Sequence, residues 1–237
     1  MPAHEPAGMD VLSMRWADVL VASWPVDPEV VADRLPDGVD VDTHDGDAYL
    51  SVVPFVMENI RPRGLPSGVG RTFGELNLRT YVTVDGRPGI YFFNLDATDA
   101  LGVRVARRLF GLPYYTADMR IERRAGGALA VRSTRTHAGQ PSLAFDATYE
   151  QAGACSRATP GSLTAFLLER YRFFVASEDG TVYQGAVDHD PWQLADATLD
   201  VRRNDLFTAN GFEQPAGSPH IAYSPGVDVT AGLPTVV

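Results

Sequence analysis

The chain has 237 residues, 45% of them hydrophobic, with 30 acidic and 20 basic side chains and a net charge of −10. This length supports one sizeable core, no shift in composition marks a second, and the acidic balance works against nucleic acid or an anionic membrane as partner. The single cysteine, Cys155, excludes an intramolecular disulfide and a cysteine-built metal site.

Residues 1–9 read as a loose tail ahead of one domain over residues 10–237. The first 25 residues lack a basic start followed by an apolar stretch, and no uncharged apolar run approaches the ~18 residues of a membrane span. These features predict a soluble, unprocessed protein of a reducing, cytoplasmic compartment. All 20 basic residues are arginine and 21 of the 30 acids are aspartate, a composition that fits an extreme halophile or a GC-rich genome equally well. The absence of lysine removes chemistry outright: no lysine Schiff base and no P-loop lysine is available.

Residues 15–24 are apolar without helical period and predict a buried strand. Asp27-Pro28-Glu29 supplies an N-cap and a first-position proline for a short helix that runs to Leu35 and buries Val30, Val31 and Leu35, with Pro36-Asp37-Gly38 as its stop. Residues 39–42 alternate, Asp45-Gly46 reads as a hairpin turn, and residues 48–60 form an apolar run in which Pro54 marks a bulge or an edge. Residues 61–70, with three Gly and two Pro, predict a loop.

Strands follow over residues 73–84 and 89–97, joined by a turn at Asp85-Gly86-Arg87-Pro88. Residues 99–110 have helical period, with Leu101, Val103, Val105, Ala106, Leu109 and Phe110 on a broad apolar arc and Arg104, Arg107 and Arg108 on a solvated one. Past Gly111-Leu112-Pro113, strands are predicted over residues 114–123, 129–137 and 143–150. A helix capped at Thr159-Pro160 then runs to about Arg170, and further strands fall near residues 172–176, 181–187, 194–201 and 220–223, with a turn at Asp179-Gly180. About ten short strands and three helices, never in β-α-β-α alternation, predict an α+β fold: a largely antiparallel, curled or barrel-like sheet with helices outside.

Common site motifs fail. Gly68-Val69-Gly70 starts a dinucleotide pattern, but position 73 is Phe and a strand follows. The five histidines are scattered with no close pair, so no metal or cofactor is predicted. His189-Asp190-Pro191-Trp192 reads as a structural turn anchored by a buried Trp. Strand alternation puts Glu75, Asn77, Arg79 and Tyr81 on one face and Leu76, Leu78, Thr80 and Val82 on the other. If that face lines a barrel interior, Glu75 and Arg79 form a charged pair within a pocket; if it faces solvent they are an ordinary surface pair, and pattern alone favours the solvated reading.

Several stretches together resemble the YqjF-like family of uncharacterised proteins: residues 16–24, the Asp-Pro-Glu helix ending in Leu35-Pro36, FGELNLRTYV, GIYFFNLDA, ARRLFGLPYYTADM, LLERY and HDPW. That family is similar to the acetoacetate decarboxylases, which implies a cone-like β-barrel around a small-molecule site. The decarboxylases carry V-G-R-E-L-x-x-Y-P-K-K after a Leu-Asp. Here Leu95-Asp96 precedes, and Val105, Arg107, Leu109 and Pro113 stand in register.

Tyr114 and Tyr115 then occupy the positions of the decarboxylase lysine pair. In those enzymes one lysine forms the imine while its neighbour lowers that lysine's pKa. The resemblance also aligns Phe73-Gly74-Glu75 with a decarboxylase aromatic-x-Glu, implying an inward Glu75, and aligns Arg15 loosely, about two residues out of register, with an active-site arginine.

The expected function is therefore small-molecule binding without imine-dependent decarboxylation, with Glu75, Arg79, Tyr114, Tyr115 and Arg15 at the ligand. A second expectation is a lysine-independent enzyme acting on an oxo or carboxylic acid, with Tyr114 as electrophilic group and Glu75 as base. A third is a partner-binding domain with a filled interior. The composition permits an oligomer without specifying one.

Overall fold

A computed structural model describes residues 10–177 and 180–237. The tail expected over residues 1–9 and Asp179 of the turn expected at Asp179-Gly180 lie outside them, as do the side chains of Leu109 and Phe110.

The chain begins with strand β1 (Leu12–Val26), followed by helix α1 (Pro28–Ala32). Asp27 caps α1 by accepting from the Glu29 N–H at 2.9 Å. Val31 is buried but Val30 is 40% exposed, and the helix stops three residues before Leu35, because a helix this short has only one inward face. Strands β2 (Asp40–Val41), β3 (Ala48–Pro62), β4 (Arg71–Val84) and β5 (Arg87–Ala97) follow. The loop expected over residues 61–70 contains one short 3₁₀ turn, Ser67–Val69. Asp85 and Gly86 alone turn β4 into β5, both with positive φ, so the connection is tighter than the four residues expected.

Helix α2 (Ala100–Phe110) is capped by Asp99 and ended by Gly111 in the left-handed region at φ 63°. Its arginines are exposed as expected. Leu101 and Val105 are exposed too, however, because only the side of the helix bearing Val103 meets the core. Strands β6 (Tyr114–Arg123), β7 (Leu129–Arg135) and β8 (Ala144–Ser156) lead to helix α3 (Leu163–Leu168). That helix starts later than expected: Gly161 sits at φ 81°, which no right-handed helix admits, and Ser162 is the cap.

The remainder comprises β9 (Arg172–Ala176), β10 (Val182–His189), β11 (Leu194–Asn204), the unanticipated short helix α4 (Leu206–Ala209), β12 (His220–Ala231) and β13 (Thr235–Val236). Strand β12 continues eight residues beyond the expected Tyr223. Gly226 makes this possible: it adopts φ 138° beside β1, where a Cβ would lie 2.5 Å from the Trp16 carbonyl oxygen.

Thirteen strands among the described residues form one sheet that closes on itself twice. The strands β12, β1, β3, β4 and β5 make a shared wall. On one side β6, β7, β8 and β11 link β5 back to β12; on the other, β9 and β10 do the same. All pairings are antiparallel except β5 with β6 and β5 with β9. The fold is thus the curled, largely antiparallel sheet expected, with more strands and a fourth short helix.

Each side of the wall carries its own core. Leu20, Leu76, Leu78, Val131 and Phe145 pack on the side of β6–β8, whereas Val53, Phe55, Tyr81, Leu167 and Phe173 pack on the side of β9 and β10. Period-two alternation explains the division: Leu76 and Leu78 face one core and Tyr81 the other. Pro54, expected at a bulge or edge, lies opposite Leu76 of β4 and beside the irregular stretch where the β1–β3 register shifts between Ala17 and Ala22. Asp18 within that shift has φ 52°.

Candidate small-molecule cavity

A cavity of about 160 Å³ lies on the β9–β10 side of the wall. Its walls are mostly apolar, with Met14 and Trp16 from β1, Val53 and Phe55 from β3, Phe92 from β5 and Phe173 from β9. Glu75, Asn77 and Arg79 of β4 also line it. The face that pattern alone assigns to solvent is interior: Glu75 is 2% and Asn77 3% exposed. An isolated strand cannot show that a second layer, β9 and β10, covers this face.

Tyr114, the first residue of β6, enters the same cavity. Its hydroxyl donates to Glu75 Oε2 at 2.7 Å, while Asn77 Nδ2 donates to Glu75 Oε1 at 3.4 Å. The strand order explains the contact. β6 joins β5 in parallel register, with Leu95 opposite Tyr114, and β5 pairs with β4, so Tyr114 reaches Glu75 across one intervening strand. Burial pushes the Glu75 carboxyl up to about 7; the hydrogen bonds from Tyr114 and Asn77 pull it back, and Asp96 adds a smaller upward push. Burial first, and the neighbouring Glu75 second, push the Tyr114 phenol well above its ordinary value, so it stays a donor.

Arg79 donates through Nη2 to the Leu167 carbonyl at 3.1 Å, and its guanidinium lies 5.7 Å from the Tyr81 ring centre. Arg79 Nε, Trp16 Nε1 and Asn77 Oδ1 are buried atoms of cavity-lining residues with no hydrogen-bond partner. His189 also lines the cavity, stacked on Tyr171 at 4.5 Å, and buried Trp192 anchors the segment by donating from Nε1 to the Leu168 carbonyl at 2.9 Å. Among the described residues, no three His, Cys, Asp or Glu side chains converge to hold a metal.

Two expected ligand residues lie elsewhere. Tyr115 follows Tyr114 along β6 and so points to the opposite face, where it packs 4.1 Å over the Arg135 guanidinium and edge-on to His137. Arg135 is buried and makes a bidentate pair with buried Asp96, both contacts at 2.7 Å. Arg15 alternates with the inward Met14 and Trp16 and therefore faces out, 41% exposed, bonded to Asp228 at 3.4 Å and 3.7 Å from Glu58. Neither residue borders the cavity.

Residues 13–228 match DUF2071, described as an uncharacterized conserved protein. The chain is also 40% identical over 225 residues to the uncharacterized protein YqjF of Bacillus subtilis (strain 168), covering 94% of this chain and 91% of that one. The chain belongs to this family.

Solved structures extend the likeness of this DUF2071 chain to fold alone. The enduracididine biosynthesis enzyme MppR complexed with pyruvate superposes with a TM-score of 0.64 at 14% identity, over 99% of this chain and 91% of its own. The acetoacetate decarboxylase of Legionella pneumophila does so with a TM-score of 0.64 at 13% identity, over 100% and 92%. The DUF2071 chain thus has an acetoacetate decarboxylase-like fold. Among the described residues, no helix is long and apolar enough to cross a membrane.

Sequence reasoning passed over Asn77 as a Glu75 partner, although its place two residues along the same strand face carried that signal. It also missed Trp16 and His189 as cavity walls. They come from strands β1 and β10, which are joined only through β12, and nothing local in the sequence shows that pairing.

Proposed function

We propose that this protein binds a small, largely apolar molecule that presents an oxygen group to Glu75 and Tyr114. The observation that carries this reading is the hydrogen bond from Tyr114 to the buried Glu75 inside a cavity whose other walls are mostly apolar. Ligand sites share that composition, an apolar surface with a few convergent polar groups that set orientation. The volume is on the scale of a cavity that accepts one benzene ring. The unpartnered Trp16 Nε1, Arg79 Nε and Asn77 Oδ1 support the reading, because buried polar atoms ordinarily have partners and a ligand would supply them.

The third expectation, a filled interior, does not describe a molecule with this cavity. The chain has no lysine, so a lysine imine is excluded here by covalent chemistry, whatever the structural neighbours do. That MppR, with the same fold, has been captured with pyruvate supports a small ligand in this scaffold.

The test is ligand-observed NMR and native mass spectrometry with neutral compounds of six to eight carbons, toluene and cyclohexanone among them. Saturable binding is expected, together with its loss in Val53→Phe, which fills the cavity from β3. If no compound binds, or Val53→Phe binds as well as the parent, the reading is overturned.

A further inference from the structure

We propose that the Glu75–Tyr114 pair is a proton-transfer centre that removes and returns the α-hydrogen of a small ketone or aldehyde without forming an imine. This inference rests on the ligand cavity described above and adds a reaction to it.

The geometry restricts the chemistry. Among the described lining residues Glu75 is the only carboxylate and none is Ser, Thr or Cys, so acyl transfer through a serine, threonine or cysteine nucleophile has no place there. What remains is a base 2.7 Å from a phenolic donor, surrounded by apolar walls. A carbonyl compound with an α-hydrogen needs those two groups alone: a base for the C–H proton and a donor for the oxygen on which negative charge develops.

The step balances without any co-reactant. When the ligand's carbonyl oxygen enters, the Tyr114 O–H turns from Glu75 Oε2 to that oxygen. The freed carboxylate oxygen takes the α-proton; the C–H bond breaks, an O–H bond forms on Glu75, and the C–H electron pair becomes the C=C bond of an enolate. Tyr114 hydrogen-bonds the enolate oxygen and keeps its own proton. The Arg79 guanidinium on the same wall, whose Nε lacks a partner, adds positive potential to the cavity. Glu75 then returns the proton, or a solvent proton exchanged for it, to the same carbon, so the net result is isotopic exchange or loss of configuration there.

Burial fits Glu75 for this work. A carboxyl held up to about 7 is a stronger base than an ordinary one and is still half ionised near neutral pH. The charged and titratable groups around it are Tyr114 from β6, Asp96 from β5, Arg79 on β4, His189 from β10, and Arg170 and Arg172 beside α3 and on β9.

The experiment follows α-hydrogen exchange of cyclohexanone and 2-pentanone in D₂O by proton NMR, with binding of both ketones and of toluene measured in parallel. Exchange at least about 100-fold above the buffer rate is expected, rising with pH through about 7 and level above it. In Glu75→Gln, exchange should fall to the buffer rate while cyclohexanone still binds; Tyr114→Phe should lower exchange about 10- to 100-fold. If ketones bind but exchange only at the buffer rate, or Glu75→Gln exchanges like the parent, the proposal is overturned and the ligand cavity stands. If toluene binds and ketones do not, the proposal is overturned together with the placing of a ligand oxygen at Glu75 and Tyr114, and only an apolar binding cavity stands. If neither binds, both fall.

Discussion

The Tyr114 hydroxyl donates to Glu75 Oε2 across 2.7 Å, tying the first residue of β6 to the middle wall strand β4 over the intervening β5. In the next position, Tyr115 points the other way and covers the buried Arg135–Asp96 pair. Two adjacent tyrosines thus serve two separate interiors. One supplies a polar group to a cavity; the other shields an ion pair in a packed core. The strand's period of two is enough to separate the roles.

Tyr114→Phe should raise the Glu75 pKa above its value of about 7. The phenol's hydrogen bond favours the carboxylate, so its removal favours the protonated acid, and a hydrogen bond to a charged group corresponds to a shift of about one to two pH units. Carbon-13 NMR of the labelled Glu Cδ resonance measures both titrations. An unchanged or lower midpoint in the variant would contradict the geometry.

Glu75 should also make the fold less stable as pH rises. Its folded pKa of about 7 exceeds the unfolded value of 4.5, so between those values the native state binds more protons than the unfolded chain. The stabilisation from the neutral acid is complete below about 4.5 and is lost as pH climbs through 7, a change of roughly 3 kcal/mol. In Glu75→Gln this component disappears, because the amide does not titrate and Tyr114 keeps an acceptor. Denaturant unfolding at pH 5, 6, 7 and 8 should show the parent losing stability relative to the variant by about that amount.

The curled antiparallel sheet was legible in the sequence because each hairpin carries its own turn chemistry: Asp85-Gly86 for β4–β5, and the glycine pair of residues 126 and 127 for β6–β7. Strand β12 was half missed because Ser224-Pro225-Gly226 resembles a terminator, whereas Gly226 allows the strand to run close along β1. At the site, Glu75 and Tyr114 were legible from residue type and resemblance. Arg15 was not correctly placed: β1 turns Met14 and Trp16 into the cavity, so alternation turns Arg15 outward, and a resemblance that matches this arginine out of register carries no information on that parity. Arg79, expected at the ligand beside Glu75, lines the cavity because β9 and β10 cover this face of β4.

Breaking the Arg135–Asp96 pair from one side should cost far more than removing it whole. Asp96 is fully buried, accepts two bonds from Arg135 and one from Asn94 Nδ2 at 2.6 Å, and Arg135 is 8% exposed. Asp96→Leu leaves a buried guanidinium without its counter-charge and should cost about 3–5 kcal/mol, lowering Tm by on the order of 10 °C. Adding Arg135→Met to it should recover most of the loss, because the desolvated charge is then gone as well. Calorimetry of the two single variants and the double variant checks this; a double variant no more stable than Asp96→Leu would mean that the loss does not come from a buried guanidinium left without its counter-charge.

An amine placed at position 114 should meet carbonyl ligands, and one at position 115 should not. Tyr114→Lys replaces the phenol with a chain of similar reach directed at Glu75 and the cavity, whereas Tyr115→Lys directs it toward Arg135 and Asp96. Near Glu75 the ammonium is favoured by the opposite charge and disfavoured by burial, and only the neutral amine attacks a carbonyl, so trapping should increase with pH. Incubation with cyclohexanone and borohydride, followed by intact-mass measurement, should show one covalent adduct on Tyr114→Lys, growing between pH 7 and 9, and none above background on the parent, which lacks lysine altogether. Tyr115→Lys should trap at least about tenfold less, since forming an imine requires the reacting atoms to be held near 3 Å in the cavity and this side chain lies across the sheet from it. Equal labelling of the two variants would show that β6 does not present its first two residues to opposite sides of the wall.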